Sequence, residues 1–153
     1  MDAASIVKRG FESTYERLKR CAADLTDEEA RRVLAGQLTG ATWQIGHTAL
    51  IDANVVRRAG GTFAVPDGYE SLFKMGSGGS AAYPPLADLL NLLERTQAAL
   101  LQIAATGDYA RPVEGQNYSN VGEMLVFNCV HRGYHIGKLT TIRALLGKPR
   151  LFG

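Results

Sequence analysis

Cysteine is scarce in this chain of 153 residues: Cys21 and Cys129 are its only two, far apart and in apolar helical surroundings. Without CxxC or other metal-type spacing they offer neither a disulfide framework nor a thiolate metal site, and they read as buried free thiols. Charge of one sign is lacking too. The 17 Lys and Arg stand against 15 Asp and Glu, a formal net charge of +2, and the two signs are interspersed along the chain. With no basic stripe and no aromatic residues interleaved with Arg on a stacking surface, the sequence points away from nucleic acid as a partner. No apolar run approaches the roughly 20 residues that span a bilayer, and the opening MDAASIVKRGF has no apolar core of a signal peptide. No membrane association is expected, and the cytoplasm is the expected location.

What is present is the balance of an ordinary soluble domain, with 46% hydrophobic and 21% charged residues. The length suits one domain over residues 1–153 with a continuous core. Helical periodicity runs through most of it. From Ala3 to Leu25, Val7, Phe11, Leu18, Cys21 and Leu25 recur opposite Lys8, Glu12, Glu16 and Lys19, which predicts a first long helix. Thr26 with Glu29 has the capping-box pattern, predicting a short connector helix that stops near Gly36. A second long helix is predicted over Ala41–Arg58, with Trp43, His47, Leu50, Ile51 and Asn54 on one face and Gly60 as its stop.

The stretch from Gly60 to Pro85 is rich in glycine and proline, with Gly-Ser-Gly-Gly-Ser at its centre, and predicts a long crossover loop without helix. Pro84-Pro85 then opens a third long helix through Leu86, Leu89, Leu93, Leu100 and Ala104 towards Gly107. Asn120 and Glu123 open a fourth, through Met124, Phe127, His131, His135, Leu139, Ile142 and Leu146, ended by Gly147 and Pro149. No period-two alternation announces a strand. The expected fold is therefore all-α, a four-helix bundle. The long connection between the second and third long helices lets the chain travel back along the bundle, giving an up-down-down-up order.

The chemistry lies in the three histidines. His131-Arg-Gly-Tyr-His135 puts two imidazoles one turn apart on one helix face, in line with Met124, Leu139, Ile142 and Leu146, so both are expected to point inward. A single histidine on such a face is read as a core residue satisfied by hydrogen bonds. Two together, with no Asp or Glu in register on their helix, would leave ring nitrogens unsatisfied at about 1–3 kcal/mol each, whereas one metal ion takes a nitrogen from each. His47, the only other histidine, falls on the inner face of its own helix. Three neutral imidazoles suit zinc or nickel first, and iron or copper next, with coordination positions left for water or substrate. Trp43, Tyr134, Asn128 and Lys138 are candidates to line a pocket around such an ion, against the plainer reading of core packing or surface solvation; Asn54 is a comparable case.

Taken together, Trp43-Gln-Ile-Gly-His47, the crossover Phe73 to Pro85, the HxxxHxG pattern from His131 to Gly137 and the closing Arg143-Ala-Leu-Leu-Gly-Lys-Pro149 resemble the DinB-like superfamily that includes YfiT-type proteins. The resemblance covers nearly the whole chain, with one departure: Lys138 stands where many relatives carry Gln. It implies an up-down-down-up bundle, a metal held by His47, His131 and His135, frequent homodimers, and activities that include thiol-dependent S-transfer and isomerisation.

Other chemistries lack their residues. Arg132 stands where the HExxH of a zincin needs its Glu base, and the Glu and Glu-x-x-His pairs of a di-iron bundle are missing. Gly76-Ser-Gly-Gly79 is not followed by GK[ST] and reads as loop flexibility. Two function classes remain: a metal-dependent transferase or hydrolase acting on a small molecule, with a low-molecular-weight thiol as cosubstrate in the transferase version, and a non-catalytic protein, binding a small molecule or serving a stress response, whose metal is structural or sensory.

Overall fold

The computed structural model describes residues 2–80, 82–114 and 117–152. Among the described residues six helices make up the regular structure: α1 (Ala3–Ala22), α2 (Asp27–Arg31), α3 (Ala41–Arg58), α4 (Tyr69–Phe73), α5 (Leu86–Thr106) and α6 (Val121–Leu145). No strand occurs among the described residues, only the isolated bridges Leu34 to Leu38 and Pro112 to Asn120. None of the helices is long and apolar enough to cross a membrane. The fold is all-α, as the apolar periodicity requires.

The helix ends follow local chemistry. The Asp2 carboxylate caps α1 by accepting from the Ser5 N–H at 2.8 Å. Thr26 and Glu29 close a full capping box on α2. The Asn120 side chain accepts from the Glu123 N–H at 2.9 Å, while the Glu123 carboxylate turns to the Ser119 N–H rather than to Asn120.

Three expectations need correction. The first helix ends at Ala22, not Leu25. The connector helix lasts five residues, because Arg32 is extended (ψ 127°) and Ala35 and Gly36 turn back through positive φ to let Leu34 pair with Leu38. The crossover is not free of helix. Tyr69–Phe73 is a five-residue span without glycine or proline, entered from Gly68 at φ 81° and left through an extended Lys74, and it wraps one turn that buries Phe73 completely.

The four long helices form a closed ring of packing, α1 on α5 and α6, and α3 on the same two. Side-chain contacts give their directions. Asp52 meets Thr96, and Val56 and Gly61 lie near Ile103, so α3 and α5 run the same way. His47 faces His131 and His135 while Asp52 faces Asn128, so α3 and α6 run oppositely. Phe11 is joined to Arg132 and Cys21 to Arg143, so α1 and α6 run together. Two apolar clusters fill the ring, one around Leu18, Ile45, Phe73, Leu89 and Leu139, the other around Phe11, Val56, Leu100 and Met124. Polar groups occupy the middle of the bundle, and the histidines lie there. Cys21 is buried and Cys129 half-buried, both as free thiols; burial pushes the Cys129 thiol up to about 11.

Candidate metal centre

α3 brings His47 to the inside because its N-terminus is clamped. Gly40 caps the helix so close to α2 that a Cβ there would meet the Ala30 carbonyl at 2.4 Å. Gly46, one residue before His47, lets the Phe73 ring settle directly on the helix; a Cβ would sit 2.3 Å from it. Phe73 is in turn stacked on Tyr83 at 5.5 Å. The small residue in the helix thus places the crossover's buried turn beside His47, and the His47 ring donates from Nδ1 to the Phe73 carbonyl at 2.7 Å. Its Nε2 is left to face inward.

His135 is fixed in the same way from another direction. Its Nδ1 lies 2.6 Å from the Gln44 Oε1. Gln44 is held in that orientation because its Nε2 donates to the Thr39 hydroxyl at 2.7 Å and the Thr39 carbonyl at 3.3 Å. His135 therefore carries its proton on Nδ1 and a lone pair on Nε2. That Nε2 stands 3.1 Å from the Nε2 of His131. The Nδ1 of His131 is buried without a hydrogen-bond partner.

The three side chains form one cluster, with one ligand atom from each within 4.8 Å of the others. Ring centroids are 4.5 Å apart for His131 and His135, 5.0 Å for His47 and His135, and 5.3 Å for His47 and His131. Two nitrogens bound at 2.0–2.1 Å to one tetrahedral ion stand about 3.3 Å apart, close to the observed approach of His131 and His135. Burial holds the imidazoles neutral: it depresses the basicity of His47, and that of His131 to about 4 and His135 to about 3, with the neighbouring imidazoles adding to the effect in the latter two. Neutral imidazoles with inward lone pairs are the form that binds a cation. The residues present fit a divalent metal ion, and the cluster can hold one.

Around the cluster, Trp43 stacks flat on His47 at 4.6 Å and donates from its indole to the Ser77 hydroxyl at 3.0 Å. Tyr134 meets His135 edge-on at 5.1 Å, and the Lys138 ammonium sits over the Tyr134 ring. These three side chains line a cavity of about 290 Å³ that opens on all three histidines. A second cavity of about 630 Å³ reaches His47 and His131 from the C-terminal half of α3, along Ile51, Val55, Tyr118 and Phe127 towards Arg58, and it also includes Asn54. Met75 borders both.

Asn128 is placed differently from the pocket role considered for it. It is buried, borders neither cavity, and donates from Nδ2 to Asp52 Oδ1 at 2.8 Å. The sequence reading also missed Gln44, the Phe73 carbonyl, and the buried Asp52 with Arg132. A backbone carbonyl leaves no sequence signal. Asp52 did leave one, as the only acid on α3, with apolar Ile51 and Ala53 on either side.

The sequence profile of the DinB superfamily matches residues 11–139. A solved structure described as the conserved protein of a locus from Enterococcus faecalis is similar in fold, with a TM-score of 0.73 and 16% identity over 97% of this chain and 99% of that one. No curated protein matches the chain.

Proposed function

The chain belongs to the DinB superfamily, and from that membership we propose that it is a metal-dependent enzyme whose His47, His131 and His135 hold one divalent ion, zinc or nickel before iron or copper. The observation that supports this most is the uncharged ligand set: three imidazoles converge, His47 and His135 buried and His131 half-buried, and no carboxylate joins them among the described residues. Three neutral ligands leave the ion's full charge to whatever completes its shell, which favours an anionic group. The ion, when bound, supplies Lewis acidity that lowers the pKa of a thiol or water it holds. The Lys138 ammonium adds positive charge at the rim of the smaller cavity. Gln44 and the Phe73 carbonyl keep two imidazoles in the tautomer that presents Nε2.

Of the two chemistries, S-transfer from a low-molecular-weight thiol to a small electrophile is favoured over hydrolysis by the two neighbouring cavities that both reach His47 and His131. Two cavities give room for two organic substrates, and Met75 borders both. Elemental analysis of the purified protein tests the foundation: about one transition-metal ion per chain is expected, and none after His47, His131 and His135 are all changed to Ala. Thermal-shift screening with thiols and electrophiles then separates an enzyme from a protein with a structural or sensory metal, since substrate stabilisation that requires the ion supports the enzyme.

The acting form is proposed to be a homodimer paired through α6. Val126, Val130, Tyr134 and Leu145 on its outer face are each more than half exposed. Gly133 and Gly137 between them have open space where a Cβ would be, although mid-helix glycine costs about 1 kcal/mol relative to Ala. Arg132 and Arg143 are buried, so Lys138 is the one charge on that stretch that reaches solvent, and a nearly neutral face can lie on its own copy without like-charge repulsion. Light scattering should show a dimer that Val130→Glu converts to monomer; a wild-type monomer at high concentration removes the idea.

A further inference from the structure

His47 and His135 are each aimed by a hydrogen bond on Nδ1, whereas the Nδ1 of His131 is buried and unpartnered. A metal-ligating imidazole is ordinarily oriented by the acceptor on its second nitrogen. His131 must instead be held through its backbone and the residues beside it. The next residue, Arg132, is fully buried, and so is Asp52, which follows His47 by five positions on α3. Arg132 donates from Nη2 to Asp52 Oδ2 at 2.7 Å and from Nε to Oδ1 at 3.1 Å. Its Nη1 donates to the Gln97 Oε1 at 2.7 Å, and to the Thr14 hydroxyl and the Phe11 carbonyl at 3.3 Å each. Asn128, one turn earlier on α6, donates to the same Asp52. One neutral cluster thus joins all four long helices beside the histidines.

Stability alone does not explain such a pair. Two charges taken out of water lose hydration that their attraction does not reliably repay, and apolar replacements of similar volume are often neutral or stabilising. Directional bonds do what apolar contacts cannot: Asp52 receives donors from two successive turns of α6, an arrangement compatible with a single register of α6 on α3. That register decides whether His131 faces His47.

We propose that Asp52 and Arg132 are positioning residues of the metal centre, their ion pair setting the register of α6 against α3 and so aiming His131 at the point it shares with His47 and His135. This rests on the reading that the histidines hold an ion, and it assigns the aiming of the one ligand that lacks an acceptor of its own.

The double replacement Asp52→Leu with Arg132→Met removes the pair without stranding a buried charge, and is tested in the full chain with cobalt(II) as the probe metal. The expected result is a metal-free melting temperature close to wild type, a cobalt affinity lower by about tenfold or more, and an altered visible d–d spectrum. A folded double variant with wild-type affinity and spectrum overturns the proposal. Should the double variant fail to fold, Arg132→Lys carries the test, because it keeps the buried charge balanced and removes the two-point grip of the guanidinium on Asp52: weakened cobalt binding with an altered spectrum supports the proposal, and unchanged binding overturns it. Long-range ¹H–¹⁵N spectra of the histidine rings in metal-free protein read the aiming without any ion. One set of His131 signals in the wild type that broadens or doubles in the folded variant is expected, and identical ring spectra overturn the proposal. A wild type that binds no cobalt counts against the metal reading instead, and the ring spectra then decide the positioning by themselves.

Discussion

His131 and His135 meet nitrogen to nitrogen, Nε2 to Nε2 at 3.1 Å, inside the bundle. Gln44 keeps the proton of His135 on its other nitrogen, so the His135 Nε2 is an acceptor, and the contact is held by a proton on His131 or by a cation shared between the rings. A proton on the His131 Nε2 leaves its buried Nδ1 as an unsatisfied lone pair, and a metal leaves that Nδ1 a buried N–H. In either state, the Nδ1 has no hydrogen-bond partner among the described residues. The geometry is therefore specified at the Nε2 atoms, where a ligand would act.

The neutral state of these rings sets a pH dependence. Burial depresses His131 to about 4 and His135 to about 3 from the ordinary 6.5. In an unfolded chain both take up protons near the ordinary value, so between there and the folded values the unfolded state binds more protons and stability rises with pH. Metal-free protein should hold this contribution in full above pH 6.5 and lose it progressively as the pH falls towards 4 and below. Urea midpoints measured across that range check it; replacing both rings by Gln should flatten the decline, and an equally steep decline in that variant would show the imidazoles are not its source.

Gln44 fixes the tautomer and direction of His135, and its own orientation is fixed by Thr39. Gln44→Leu keeps much of the volume but leaves the His135 Nδ1–H without an acceptor. Metal affinity should fall by roughly 10–100-fold, with the helical circular-dichroism spectrum unchanged. Competitive titration against a chromophoric chelator measures it. Wild-type affinity would mean that Gln44 plays no part in orienting the ligand.

Much of this was legible in the sequence because helices advertise their ends. The capping residues Thr26 and Asn120 and the Pro84-Pro85 pair bound α2, α6 and α5, and the observed span of α3 is the one its apolar pattern predicts. The convergence of three histidines followed from the same periodicity. What escaped was set by tertiary contact. α4 forms because Phe73 has a slot over Gly46 to fill, which no local pattern encodes. Arg132 was noticed only as a residue that is not Glu. The lone acid on α3, and an arginine placed on the same helix as the inward-facing histidines, together were the readable sign of the Asp52–Arg132 pair.

Gly46 offers a test of how the crossover supports the site. A methyl group there overlaps the Phe73 ring, backed by Tyr83, and Phe73 also supplies the carbonyl that orients His47. Gly46→Ala should therefore destabilise by roughly 1–3 kcal/mol despite the better helix propensity of Ala, and should weaken metal binding as well. Denaturant unfolding and metal titration of the same variant read both. A stabilised variant with normal metal affinity would show that Phe73 can move without disturbing His47.

The two helices contribute unequally to the centre. His131 and His135 are four residues apart on α6 and are preorganised by that helix alone, so they can capture a metal weakly even in a loosened bundle. His47 comes from α3, and its Nε2 reaches them only when α3 and α6 are packed. An ion bound by all three is therefore linked to assembly, and its binding energy appears as folding stability, about 2.7 kcal/mol when free metal is a hundredfold above the dissociation constant. Chelation should lower the melting temperature of the wild type. His47→Ala should fold, keep weak binding through the remaining pair, and lose most of the chelator sensitivity, because that pair belongs to one helix and survives loosening. Calorimetric melting curves with and without chelator, on protein whose metal content has first been measured, decide the matter: a melting temperature indifferent to chelation in metal-containing wild type would place the ion outside the α3–α6 interface.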